Sequence, residues 1–199
     1  MLFRSGASCY KHTNMVPSFC RVYTQLTGQN VLAVHIAKGS TVINDWLPNS
    51  KGYDILVRKS LAAIKKAASQ EKINHIFFVW LQGESDAIEG NSKEYYKQKI
   101  TQLCSALKED IGIHKFGIIR VGRFVNDRRD DEIISAQDEV CRENPDFLML
   151  TDIATELNKR PEDMSPKVKG HYSARGLEKL GQAAGESLGV FARDTISKA

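Results

Sequence analysis

The stretch Phe77–Asp86, FFVWLQGESD, decides how the rest of the chain is read. Ile76–Trp80 is an unbroken run rich in β-branched and aromatic residues and predicts a buried strand. It runs directly into Gln82-Gly83-Glu84-Ser85-Asp86, a polar turn carrying an amide, two carboxylates, a hydroxyl and a glycine. In an open parallel α/β sheet, ligands sit at the carboxyl ends of the strands, where such turns face a crevice. The same residues also suit a plain βα loop in which Ser85 or Asp86 caps the next helix.

Working outward, Val57, Leu61, Ile64 and Ala68 recur at helical spacing, with Arg58, Lys65 and Lys66 on the other side; this helix leads into a strand over Ile73–Trp80. Further upstream, Pro17 opens a helix with Phe19, Val22, Tyr23 and Leu26 that ends at Gly28. Val31–Ile36 predicts a short strand and Ala37–Trp46 a glycine-containing loop after it. Downstream, Tyr96, Ile100, Leu103 and Leu107 mark a helix and Phe116–Val121 a strand. Ile133, Gln137, Val140 and Cys141 outline a helix behind Asp130 and Asp131, which suit its first turn. Phe147–Leu150 predicts a short strand, residues 159–170 a long loop, and Leu177, Leu180, Ala184 and Leu188 the last helix. Residues 1–15 read as an irregular terminal segment. Strands alternating with helices predict an α/β fold with a mainly parallel sheet covered on both faces, in one domain over residues 1–199.

Bulk composition narrows the function. A chain of 199 residues is long enough for a layered core. Its 28 basic and 24 acidic side chains leave +4, and their interspersion describes solvated helix faces, not a nucleic-acid surface. No apolar run approaches the ~20 residues of a membrane span. Cys9, Cys20, Cys104 and Cys141 are scattered without metal-like or CxxC spacing, which predicts reduced thiols. Met1–Tyr10 lacks the apolar core of a signal peptide, so the cytoplasm is the default expectation. Neither GxGxxG nor GxxxxGK[ST] occurs, which argues against a nucleotide site, and neither cofactor nor metal is expected.

Three separated motifs carry a resemblance. Trp80-x-Gln82-Gly83-Glu84-x-Asp86 is followed far downstream by His171-Tyr172-Ser173-Ala174-x-Gly176 and Leu180-Gly181. Ala37-x-Gly39-Ser40-Thr41-x-Ile43-x-x-Trp46 precedes both, and Pro17-Ser18-Phe19 opens the helix before it. Together they resemble the SGNH-hydrolase superfamily, in its sialate O-acetylesterase and acetylxylan esterase branch, from about Pro17 to Gly189. The resemblance implies a flavodoxin-like three-layer α/β/α fold and hydrolysis of O-acetyl esters on a carbohydrate such as sialic acid, xylan or a capsular glycan.

Serine-based ester hydrolysis needs a nucleophile, a base, a group that orients the base, and oxyanion donors. His171, in a loop at a helix start, is the base implied. The superfamily's acid stands three residues before the His, where this chain has Val168. Glu84 and, further upstream, Asp163 are the alternatives. The resemblance assigns the oxyanion donors to the Gly39 N–H and the Gln82 side-chain amide, with Ser40, Asp86 and Trp46 supporting the loops: Asp86 by capping, Trp46 by packing. The family's nucleophile belongs to a GQSN block at the end of the first strand, and no GQSN occurs here. Thr27-Gly28-Gln29-Asn30 reads as a helix C-cap turn, so the first strand is either missing or a stub followed by Ser5 or Ser8. An inactive carbohydrate-binding or interaction protein therefore stands beside the esterase reading.

Overall fold

The computed structural model describes the backbone of Leu2–Phe3 and residues 14–196. Parallel strands β1 (Leu2–Phe3), β2 (Val34–His35), β3 (Phe77–Trp80), β4 (Lys115–Ile119) and β5 (Phe147–Thr151) form one sheet in the order β2-β1-β3-β4-β5. This is the flavodoxin-like doubly wound order. The first strand is thus present as a stub at the centre of the sheet, with Leu2 level with Val34 and Phe78, and Phe3 level with His35 and Val79. At Leu2–Phe3 a strand thus replaces the irregular reading of the terminal segment. Ser5 and Ser8 lie outside the described residues.

Helices α1 (Val16–Thr27) and α7 (Ala174–Ile196) pack together on one face. The other face is covered by α2 (Lys51–Ala68), α4 (Lys93–Ile111) and α5 (Arg128–Glu143), while short helices α3 (Glu84–Glu89) and α6 (Ala154–Leu157) follow β3 and β5. Local chemistry sets their ends. Pro17 lies in the first turn of α1 and Gly28 closes it at φ 66°. Ser50, Ser92 and Asp127 each accept a backbone N–H at the start of α2, α4 and α5. Among the described residues no helix is long and apolar enough to cross a membrane.

The core is aromatic at the sheet: Phe116 lies 4.8 Å from Phe78 and 4.9 Å from Phe147 between ring centroids. Cys104 and Cys141 are free thiols whose pKa burial pushes up to about 12. The α1–α7 contact is closer than its leucine pattern predicts. A Cβ at Gly185 would lie 2.5 Å from the Phe19 carbonyl oxygen, and one at Gly181 would overlap Ser18 and the Met15 carbonyl.

Val31, Leu32 and Ile73–Ile76, expected as strand, lie before β2 and β3 and border a groove of about 690 Å³ that Tyr23 of α1 and Ile64 of α2 also line. Ile76 meets the residue before β4, accepting the His114 N–H at 2.7 Å and donating its own to His114 Nδ1 at 3.1 Å.

Gly185→Ala is expected to lower unfolding free energy by about 1–3 kcal/mol, since the added methyl meets backbone that cannot rotate away. Urea denaturation followed by circular dichroism checks this, and a change under about 0.5 kcal/mol, the size of an ordinary surface substitution, would refute the close packing.

Candidate active site

The turn after β3 is held from below by a buried polar cluster. Tyr96 is fully buried, and its hydroxyl lies 2.7 Å from the Gln82 carbonyl and 3.2 Å from Trp80 Nε1. Gln137 Nε2 donates to the same carbonyl at 2.9 Å, and Gln137 Oε1 accepts the Val121 N–H at 2.9 Å. A Cβ on Gly83 would come within 2.6 Å of Ile133, so this packing requires glycine there. Burial and the nearby Asp86 charge push the Tyr96 hydroxyl far up from its ordinary pKa. It therefore stays a neutral donor.

Above this cluster, Asp86 is 0 % exposed and gathers three partners. Its carboxylate accepts the Ile43 N–H at 2.9 Å, Asn91 Nδ2 at 2.7 Å, and the side-chain amide of Gln82. The other amide hydrogen of Gln82 goes to the Thr41 carbonyl at 2.9 Å. Gln82, expected as an oxyanion donor, thus has both hydrogens committed and is 3 % exposed. To serve an oxyanion it would have to release Thr41 or Asp86, so in this geometry it ties the two loops together. Asp86, expected as a cap, accepts at the first residue of the 3₁₀ turn Ile43–Trp46 in a distant loop.

The glycine loop hangs on this pair. Trp46 donates Nε1–H to Thr41 Oγ1 at 3.0 Å and packs edge-on against Trp80, with centroids 6.0 Å apart. Gly39 and Ser40 are exposed, and neither backbone N–H has a hydrogen-bond partner among the described residues. A Cβ on Gly39 would meet open space.

His171 sits in a loop that returns onto the sheet's carboxyl edge. Met164 and Tyr172 form an antiparallel bridge, Ser165 N–H donates to the His171 carbonyl at 2.7 Å, and His171 N–H to the Val168 carbonyl at 3.2 Å. Gly170 turns the chain at φ 77°, against the ring of Phe124. The Tyr172 hydroxyl, on a side chain partly buried against the core, lies beside Asn158 and Gly122. Burial, and then the Glu84 carboxylate, push its pKa well up. The Glu84 turn after β3 is thus within electrostatic range of the residue that follows His171. Glu84 itself is half-buried and makes no hydrogen bond or ion pair among the described residues.

Asp163, the other acid considered, bonds to cations of α7 and not to His171 among the described residues. It is 0 % exposed, and its carboxylate is taken by Lys179 Nζ at 2.6 and 2.9 Å and by Arg175 Nε at 3.2 Å. These bonds fasten the loop to the start of α7. Among the described residues, no cluster of His, Cys, Asp and Glu is arranged to hold a metal.

The family model for carbohydrate esterases described as sialic acid-specific acetylesterases matches residues 11–188. The chain belongs to this family. Among solved structures, a protein from Arabidopsis thaliana is similar at TM-score 0.66 and 16 % identity, covering 87 % of this chain and 66 % of that one. This chain therefore spans just under two thirds of that protein's length. A lipase, Lip_vut3 from a goat rumen metagenome, is similar at TM-score 0.51 and 15 % identity, covering 94 % of this chain and 93 % of that one. Both likenesses concern the fold. No curated protein sequence matches.

Within the esterase family, two departures in this chain acquire a physical meaning. Ser40 stands where the resemblance has glycine, and its φ of 53° is left-handed, a region that a residue with a Cβ enters at a cost. Val168 stands where the acid is expected, and its side chain cannot accept a hydrogen bond. Sequence reasoning missed Tyr96, Thr41, Asn91 and Gln137 as parts of the site's support. Their signal, single polar positions on otherwise apolar helix or loop patterns, is not distinctive.

Asp86→Ala is expected to destabilise the fold by about 2–4 kcal/mol, because it orphans the Ile43 N–H and the Gln82 amide. Gly39→Ala should stay within about 0.5 kcal/mol of the parent. Parallel urea titrations measure both, and equal losses would contradict the geometry described.

Proposed function

We propose that this chain is a carboxylic ester hydrolase that removes O-acetyl groups from a carbohydrate, with His171 as general base and general acid. The observation that carries the reading is the match of the sialic acid-specific acetylesterase family model over residues 11–188, a span that takes in the glycine loop, the Glu84 turn and the His171 loop. In this reading a serine Oγ attacks the acetyl carbonyl carbon while His171 takes the hydroxyl proton. The tetrahedral oxyanion is met by the unpartnered N–H groups of Gly39 and Ser40, and collapse expels the sugar oxygen, which receives the proton from His171. Water then attacks the acetyl-enzyme, His171 again relays the proton, and acetate leaves. The nucleophile would come from the sequence after β1, where Ser5 is the first hydroxyl; β1 lies between β2 and β3, in the family's position for the nucleophile strand.

A second reading has its own support. Val168 replaces the acid and Asp163 is consumed by Lys179 and Arg175, which suits a protein that keeps the crevice for carbohydrate binding alone.

The two part cleanly. The esterase reading expects turnover of p-nitrophenyl acetate that falls at least about 1000-fold in His171→Ala, in line with the loss of one member of a catalytic triad. It also expects a fluorophosphonate probe to label one serine, mapped by peptide mass spectrometry and abolished by Ser5→Ala. Turnover no higher than that of His171→Ala, with no labelled serine, leaves the binding protein.

A further inference from the structure

A histidine base works when one ring nitrogen holds its proton in a fixed hydrogen bond and the other faces the nucleophile. Among the described residues, no carboxylate is hydrogen-bonded to the His171 ring. Asp163 is gripped by Lys179 and Arg175 on α7. Glu84 acts on the Tyr172 hydroxyl and makes no hydrogen bond to the imidazole. Val168, three residues before His171, offers the ring nothing polar from its side chain. The partner that His171 Nδ1 does have is the main-chain carbonyl of Lys169, at 3.2 Å. A carbonyl oxygen only accepts, so this contact is a hydrogen bond when Nδ1 carries the proton. Nε2 then presents its lone pair outward.

The loop is built to hold that carbonyl. Ser165 Oγ accepts the N–H groups of Lys167 and Val168 at 3.3 and 3.2 Å, and the His171 N–H closes a turn on Val168. Gly170, left-handed and backed by Phe124, links the carbonyl of Lys169 to the ring it faces.

We propose that the Lys169 main-chain carbonyl is the positioning group for His171, standing in for the acid of the Ser-His-acid arrangement. The proposal rests on the assignment of His171 as the base and adds what orients it. A carbonyl dipole fixes the tautomer but stabilises the imidazolium less than a full carboxylate charge does.

The test reads the tautomer directly. Long-range ¹H–¹⁵N correlation on the uniformly labelled full chain, with the His171 signals assigned by their loss in His171→Asn, is expected to show a proton-bearing Nδ1 and a bare Nε2 in the neutral ring. Glu84→Gln should leave that pattern in place. A proton on Nε2, signals averaged between both forms, or a switch in Glu84→Gln would overturn the proposal. Val168→Asp supplies the missing carboxylate, which favours the charged imidazole; the limb of the rate profile where the base loses its proton should then move to higher pH by about 1 unit. An unmoved limb would mean that a carboxylate already holds the ring. The Nδ1–H form without turnover would sink the esterase reading and keep this orientation, whereas turnover with the other tautomer would do the reverse.

Discussion

The crevice depends on one buried pair, the carboxylate of Asp86 and the side-chain amide of Gln82. Neither is accessible to water, so each needs its partners inside the protein. They find them in two loops at once: Gln82 reaches the Thr41 carbonyl, and Asp86 reaches the Ile43 N–H and Asn91. The glycine loop therefore cannot move away from the end of β3 without stranding buried polar groups. Its exposed tip, Gly39 and Ser40, is held at the sheet's edge by atoms that do not touch the tip itself. The rest of the loop is packed, with Ile43 and Trp46 buried and Trp46 edge-on to Trp80, so the tip is held by its flanks.

A similar division of labour governs the opposite wall. The loop that bears His171 is anchored by Asp163 to Lys179 and Arg175, by the Met164–Tyr172 bridge, and by Ser173 Oγ donating to the Glu162 carbonyl at 2.9 Å. The buried Asp163 carboxylate has both cations, whose heads reach solvent, within hydrogen-bond distance, so it is not left uncompensated in the interior. The carboxylate of Asp163 is committed to these two cations and makes no hydrogen bond to the imidazole among the described residues.

The amphipathic spacing of helices and the apolar strands made the α/β alternation legible, and the flavodoxin-like strand order followed from the resemblance. Strand ends were less legible. Val31–Ala33 and Ile73–Ile76 have strand chemistry, but residue type alone does not set where pairing stops, and β2 and β3 begin at Val34 and Phe77. A two-residue strand carries no periodicity, which is why it could not be told from irregular chain. The last helix was recognised by its leucines, yet its contact with α1 is made by Gly181 and Gly185, where absence of a side chain lets two backbones meet.

For the site, the sequence alone determined which residue types recur in the family's motifs: the QGE turn, the glycine loop and the histidine near the last helix. Those are local and chemical, so they survive in a linear reading. Whether an amide faces a substrate or a buried carboxylate is a matter of which distant backbone groups surround it, and only the tertiary structure decided that Gln82 faces Thr41 and Asp86. The same holds for Asp163, whose partners lie on α7 across a loop, and for His171, whose ring meets the carbonyl of Lys169. A side chain's identity lists the bonds it can make, and packing selects among them.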